Sequence, residues 1–184
     1  MGAEHTILIV DDEEPIRKAI RKVLKYEPYT VLDTGDPAEA VELAVGKPVH
    51  LVVSDHRMPG MSGTDLLRTI KLRKPEIIRI MLTGYADLEM ALKTVNEGGI
   101  YRFLTKPWDN TELLLAVRLG LRAFELEDEN RRLVRLVKKH WDVLNQLENS
   151  QPGITGLTKR SDGGLVLGDD DIQAALDALG GSLD

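Results

Sequence analysis

The chain has 184 residues, and its 24 Lys and Arg against 30 Asp and Glu give a net charge of -6, which argues against a general nucleic-acid binder. It contains no cysteine, which excludes disulfides and thiolate chemistry, and no apolar run approaches the roughly 20 residues that span a bilayer. We therefore expect a cytoplasmic α/β protein with neither a membrane partner nor a direct nucleic-acid partner.

Short apolar segments rich in β-branched residues alternate with amphipathic segments through the first two thirds of the chain. The predicted strands are Thr6–Val10, Thr30–Leu32, Val49–Ser54, Ile77–Leu82 and Ile100–Leu104. The predicted helices are Glu14–Tyr26, Pro37–Val45, Thr64–Leu72, Ala86–Glu97 and a long one that starts near Asn110. This alternation predicts a doubly wound, five-stranded parallel sheet of order 2-1-3-4-5 with helices on both faces.

The last predicted helix is longer than one domain needs, because no proline interrupts the sequence from Asn110 to about Asn149. A glycine-containing stretch follows, and then a short amphipathic pattern. One face of this tail pattern carries Ile172, Ala175, Leu176 and Leu179. We predict a first domain at 1–122, a helical coiled-coil extension at 123–149, and a flexible linker with a short tail helix at 150–184.

Polar side chains follow four of the predicted strands. Asp11 and Asp12 follow the first strand, Asp55 the third, Thr83 the fourth and Lys106 the fifth. In a doubly wound sheet the carboxyl ends of these strands line one crevice. Clustered carboxylates repel each other unless a cation joins them, and their hard oxygens select Mg²⁺ or Mn²⁺. A hydroxyl, an ammonium and a metal around one carboxylate are the groups that phosphoryl transfer requires.

The motifs around these residues resemble those of the receiver domain of bacterial response regulators, which act in two-component signalling. The matching segments are Val10-Asp11-Asp12-Glu13, Ser54-Asp55-His56-Arg57-Met58-Pro59-Gly60, Leu82-Thr83-Gly84 and Thr105-Lys106-Pro107. They occur in the expected order and spacing over about residues 5–122. A haloacid-dehalogenase-type phosphatase also uses an aspartate nucleophile, but it would need a second aspartate where Arg57 stands.

The resemblance implies that Asp55 is the nucleophile, which accepts a phosphoryl group from a histidine kinase or phosphotransfer protein. It also implies that Asp12, Asp55 and the backbone carbonyl of Arg57 bind Mg²⁺ directly, and that Asp11 binds it often through water. Lys106 would contact the phosphoryl group, and its bond to Pro107 would be a cis peptide.

The same resemblance implies roles in switching and in phosphate lifetime. Thr83 would move inward on phosphorylation, and Phe103 would follow it as the aromatic switch residue, although this phenylalanine has no hydroxyl to anchor it. Tyr85 and Arg57 occupy positions that set the phosphate lifetime. The resemblance implies no enzymatic activity beyond phosphorylation and dephosphorylation of Asp55 itself.

The long helix carries a heptad pattern that predicts a parallel homodimer. Its a positions are Ala116, Ala123, Asn130, Val137 and Leu144, and its d positions are Leu119, Leu126, Leu133, His140 and Leu147. Asn130 is the type of buried polar residue that favours two parallel strands. The alternative is a single helix that folds back on the receiver.

The residues after the long helix contain no basic recognition helix and no zinc-ligand set. We therefore expect signalling through altered dimer contacts or a downstream protein partner, without a DNA-binding or enzymatic output domain in this chain. One alternative is a constitutive dimeric scaffold. Another is a fragment of a longer transcriptional or HD-type regulator.

Overall fold

The computed structural model describes residues 5–84 and 99–150 together with two short strands at 158–159 and 165–166. The strands are β1 (His5–Val10), β2 (Tyr29–Thr34), β3 (Leu51–Asp55), β4 (Ile78–Gly84), β5 (Arg102–Lys106), β6 (Thr158–Lys159) and β7 (Leu165–Val166). The described helices, which we number in chain order, are α1 (Glu14–Leu24), α2 (Pro37–Gly46), α3 (Gly63–Arg73) and α4 (Asn110–Ser150).

The first five strands form one parallel sheet of order β2-β1-β3-β4-β5, which confirms the predicted fold class. The predicted bounds differ most for β5, which starts two residues later than expected and extends to Lys106. The predicted helix Ala86–Glu97 lies outside the described residues.

Alternating strand residues build two apolar layers, one on each face of the sheet. Leu8 and Val52 point into the layer under α2 and α3, whereas their neighbours Ile9 and Val53 point into the layer under α1 and α4. All four of these side chains are fully buried. Burial on both faces explains why the strands are apolar almost throughout rather than alternating with polar residues.

Short polar caps fix where the helices begin. Asp36 accepts a hydrogen bond from the N–H of Ala38 at the start of α2, and Ser62 accepts one from Asp65 at the start of α3. Asp109 accepts from two backbone N–H groups in the first turn of α4, and these bonds lower the pKa of its carboxyl. Each cap places the first turn of its helix next to the carboxyl edge of the sheet.

The first turns of α4 pack on the sheet, and this changes the predicted dimer seam. Ala116 is fully buried in the apolar layer under α1 and α4, and Ala123 packs against the same layer. These two a positions therefore contact the chain's own sheet rather than a second helix, because the helix must cover that face of the sheet. The predicted seam residues that remain exposed are Leu119, Leu126, Asn130, Leu133, Val137, His140, Leu144 and Leu147.

The chain divides into two compact units, Met1–Asn130 and Arg131–Asp184, and the predicted domain boundary after residue 122 stays a prediction. Within the predicted linker, β6 and β7 pair as a two-stranded antiparallel sheet, with Thr158 opposite Val166. The predicted tail helix lies outside the described residues. No helix in the described parts of the chain is both long and apolar enough to cross a membrane.

Candidate functional site

A lysine-bridged pair of carboxylates lies at the carboxyl edge of the sheet. The Nζ atom of Lys106 lies 2.8 Å from Oδ2 of Asp11 and 2.5 Å from Oδ1 of Asp55. Asp11 follows β1, Asp55 ends β3 and Lys106 ends β5. The sheet order places β1 beside β3, so the two carboxylates come from neighbouring strands while the lysine reaches them from the sheet edge.

The charges in this pocket are mostly withdrawn from solvent. Burial raises the pKa of the Asp11 carboxyl, although the contacts with Lys106 and the N–H of Glu13 oppose that rise. Burial alone would lower the pKa of Lys106, but hydrogen bonds and attraction from Asp11 and Asp55 outweigh it and raise that pKa above its usual value. Lys106 is therefore positively charged, and its ammonium group contacts the Asp55 carboxylate.

The backbone around Asp55 holds its side chain in place. Oδ2 of Asp55 accepts a 2.8 Å hydrogen bond from the N–H of Arg57, so both carboxylate oxygens have a donor. The N–H of Gly63 donates to the carbonyl of His56 at 2.9 Å, which brings the start of α3 against the end of β3. A Cβ atom on Gly63 would lie only 1.9 Å from the Asp55 carbonyl oxygen. Only glycine allows this close approach.

Of the other predicted site residues, Thr83 lies at the same edge, one residue before the end of β4. Thr83 is fully buried, and its hydroxyl donates to the carbonyl of Gly84 at 3.3 Å. Phe103 is partly buried against the apolar layer under α2 and α3. The peptide bond between Lys106 and Pro107 is cis, as expected. Tyr85 lies outside the described residues. The predicted roles of these residues in switching and phosphate lifetime remain predictions.

The donor set suits a hard divalent cation. In the described parts of the chain, no group of three or more His, Cys, Asp or Glu side chains is arranged to hold a metal ion, and the side chain of Asp12 is exposed. Magnesium is typically held by only one or two carboxylates and keeps several waters. Asp11 and Asp55 supply that number of carboxylates, and an oxygen that already accepts one hydrogen bond has a second lone pair.

Sequence reasoning did not identify Arg17 as part of this edge. Its guanidinium donates to the backbone carbonyl of Asp11 at 2.6 Å and to the Asp33 carboxylate at 3.2 Å. Arg21 pairs with the same Asp33. The two arginines lie four residues apart on α1, and that spacing together with an aspartate near the end of β2 is a signal that could have been used.

A second polar cluster lies at the opposite, amino edge of the sheet. The Nε2 atom of His5 lies 2.9 Å from the Glu125 carboxylate, and Nδ1 of His50 accepts the N–H of Thr6 at 2.9 Å. The ring of Phe124 packs edge-on against both histidines. These contacts join residues more than 40 positions apart along the chain, so no short spacing in the sequence indicates them.

The doubly wound sheet and its polar crevice between β1 and β3 place the chain in the class of α/β proteins that bind ligands at the carboxyl edge. The family model described as "Response regulator receiver domain" matches residues 7–118. The chain therefore belongs to the response regulator receiver family.

Two curated relatives show the extent of the sequence similarity. The chain is 38% identical over 141 residues to the hydrogenase transcriptional regulatory protein HoxA of Cupriavidus necator, covering 77% of this chain and 29% of the relative. It is 30% identical over 140 residues to the DNA-binding transcriptional regulator NtrC of Escherichia coli. This match covers 76% of this chain and 29% of the relative. The chain thus spans less than a third of the length of these relatives.

Solved structures match the same part of the chain. The signal receiver domain of an HD domain-containing protein from Pseudomonas fluorescens is 40% identical with a TM-score of 0.67, covering 70% of this chain and 95% of that one. A CheY-like receiver domain protein from Methanospirillum hungatei is 30% identical with a TM-score of 0.64. This match covers 68% of this chain and 99% of that one.

Proposed function

We propose that Asp55 accepts a phosphoryl group from the phosphohistidine of a sensor histidine kinase or phosphotransfer protein, and that phosphorylation changes how the protein binds a partner. The observation that carries this proposal is the charged Lys106, which touches both Asp55 and Asp11. An ammonium in this position can hold an outer phosphoryl oxygen when the carboxylate becomes an acyl phosphate.

The proposed transfer is a substitution at phosphorus. An oxygen of Asp55 attacks the phosphorus atom, a new O–P bond forms and the P–N bond of the phosphohistidine breaks. The electron pair of that bond stays on the departing imidazole nitrogen. The phosphoryl oxygens keep their negative charge throughout, so the pocket must supply positive charge and hydrogen-bond donors rather than proton transfer.

Each residue of the pocket has a proposed part in this step. Lys106 moves from the two carboxylates onto the phosphoryl group, and the hydroxyl of Thr83 turns from the Gly84 carbonyl towards it. Asp11, Asp12 and Asp55, with the backbone carbonyl of Arg57, would hold Mg²⁺ or Mn²⁺. A bound cation there would neutralise the aspartates and the incoming phosphoryl charge.

The test is incubation of the protein with acetyl phosphate and Mg²⁺, followed by intact mass spectrometry. We expect one labile phosphate on the chain and none on the Asp55→Ala variant. Asp65→Ala is a matched control, because Asp65 is an exposed carboxylate at the start of α3, and this variant should still take up one phosphate. Equal labelling of the Asp55→Ala variant and the native chain would contradict the proposal, as would no labelling of the native chain.

We also propose that α4 forms a parallel homodimer through the exposed part of its heptad, from Leu126 onward. Leu133 and Val137 are 53% and 66% exposed, which is unusual for aliphatic side chains on a stable helix without a partner. Sedimentation velocity should show a dimer that Val137→Glu dissociates. Lys139→Glu, on the opposite face, should leave the dimer intact. A monomer at all concentrations would contradict this proposal and leave the phosphorylation result unaffected.

A further inference from the structure

The second half of α4 has two sharply different faces. Its apolar side chains remain exposed, from 37% for Leu144 to 66% for Val137. The exposed apolar side chains between residues 131 and 147 are Leu133, Val134, Leu136, Val137, Trp141, Val143, Leu144 and Leu147. They occupy heptad positions a, d, e and g, which together cover an arc of about 160° around the helix axis. His140 is the one polar residue at a d position in this segment.

This arc is wider than one partner helix covers. A two-stranded coiled coil buries mainly positions a and d. Val134 and Trp141, at e positions, and Leu136 and Val143, at g positions, extend the apolar surface on both sides of that seam. A second copy of the chain therefore leaves part of this apolar surface in water.

The opposite face of the same segment is strongly basic. Its exposed cations are Arg132, Arg135, Lys138 and Lys139, while Asp142 is the one acidic residue between positions 131 and 147. A second copy brings the same cations and cannot neutralise them. The occupant that suits both faces is an acidic amphipathic segment.

The chain contains one such segment. Residues 161–184 include six aspartates and neither lysine nor arginine. Asp169, Asp170 and Asp171 directly precede the amphipathic pattern that contains Ile172 and Leu176. The apolar residues of this pattern are suited to covering the widened apolar arc, and the three adjacent aspartates carry the charge opposite to that of the basic face.

The connection is long enough for the tail to reach this surface. The β6–β7 pair brings Thr158 beside Val166, so about ten residues remain between Ser150 and Asp169 outside the pair, and a glycine-containing chain of this length spans roughly 17 Å. Lys138 lies about 18 Å before Ser150 along the helix axis. The two lengths agree.

We propose that residues 169–179 bind along the second half of α4 of the same chain, with the aspartates at the basic face and the apolar residues over the Trp141 side of the apolar arc. This contact would cover the apolar surface that a dimer leaves open. It is independent of phosphoryl transfer at Asp55, and it links the tail to the helix that we propose as the dimer element.

The absence of native cysteines allows a clean test in the full-length chain. In a Gln173→Cys variant, a nitroxide label is attached to the new cysteine, and this label quenches tryptophan fluorescence at short range. The chain has two tryptophans, so Trp108→Phe leaves Trp141 as the reporter on the helix, and Trp141→Phe leaves Trp108 as the reporter beside the receiver pocket. The reduced, diamagnetic label provides the unquenched reference for each variant.

We expect loss of most of the Trp141 emission at every protein concentration, with little loss of Trp108 emission. Replacing Asp169, Asp170 and Asp171 with asparagine should restore the Trp141 emission, while replacing Asp162 and Asp184 should not. Quenching of Trp108 instead would place the tail on the receiver and overturn the proposal. No quenching, or quenching that disappears on dilution, would also overturn it. Mass spectrometry of the acetyl phosphate reaction on the same variants reports Asp55 separately.

Discussion

Gly63→Ala should reduce the stability of the protein and distort the pocket around Asp55. The added Cβ would lie 1.9 Å from the Asp55 carbonyl oxygen, whereas a relaxed C···O contact is about 3.3 Å or longer, so the backbone must open by about 1.4 Å. Both sides of this contact are backbone, and no rotamer change can relieve it. The 2.9 Å hydrogen bond from Gly63 to His56 would lengthen as well.

Overpacking of this kind costs about 1–3 kcal/mol, and a weakened hydrogen bond costs about 1 kcal/mol more, so we expect the free energy of unfolding to fall by about 2–4 kcal/mol. Equilibrium urea unfolding measures this change. Gly46→Ala is the control, because a Cβ at the end of α2 meets nothing within 4 Å, and its stability should change by less than about 1 kcal/mol. Equal stability of the two variants would refute the argument. The Gly63 variant should also take up phosphate more slowly.

Three further predictions concern charge, pH and assembly. Lys106→Met should slow phosphorylation by acetyl phosphate about ten- to one-hundredfold, since a hydrogen bond to a charged group contributes about 1.5–3 kcal/mol; an unchanged rate by mass spectrometry would exclude the proposed role. Burial, and then repulsion from His5, lower the pKa of His50 below 6.5, so the folded state favours neutral His50 and loses stability as pH falls through 6.5. Urea unfolding between about pH 8 and about pH 5 should therefore show a smaller loss for His50→Gln than for the native chain, and equal losses would contradict this. Asn130→Leu should strengthen the dimer or produce a larger oligomer, which sedimentation measures as a higher mass at fixed protein concentration. A weaker dimer would show that Asn130 does not lie at an a position in the interface.

The fold and the polar edge were predictable because each depends on a local pattern. Five short β-branched runs predicted the strands, and the polar residues that follow four of these runs were sufficient to predict that Asp11, Asp55 and Lys106 meet. Their mutual position follows from the strand order, which is a general property of doubly wound sheets. The direct contact of Lys106 with Asp11 was not predicted, because the sequence does not show which carboxylate a long, flexible side chain selects.

The remaining differences come from contacts over long sequence distances. The heptad pattern identified an apolar face of α4, but it could not distinguish the turn that packs on the sheet at Ala116 from the later turns that remain exposed. Arg17 holds the backbone of Asp11 through a contact that becomes visible only when α1 is placed on β1 and β2. The contacts of His5 and His50 with α4 have no signature in residue spacing.

Strand β1 provides a short mechanical connection through the domain. Asp11 of the acidic pocket directly follows it, and His5, which binds Glu125 on α4, begins it. Six extended residues span only about 20 Å. Strand β2 pairs with all six residues of β1, and β3 pairs with the last four, from Ile7 to Val10. A strand held in this way cannot stretch, so a small shift of the backbone at Asp11 would move the far end of the strand by a similar amount. The turn of α4 that contains Glu125 thus lies one rigid strand away from the proposed phosphorylation site.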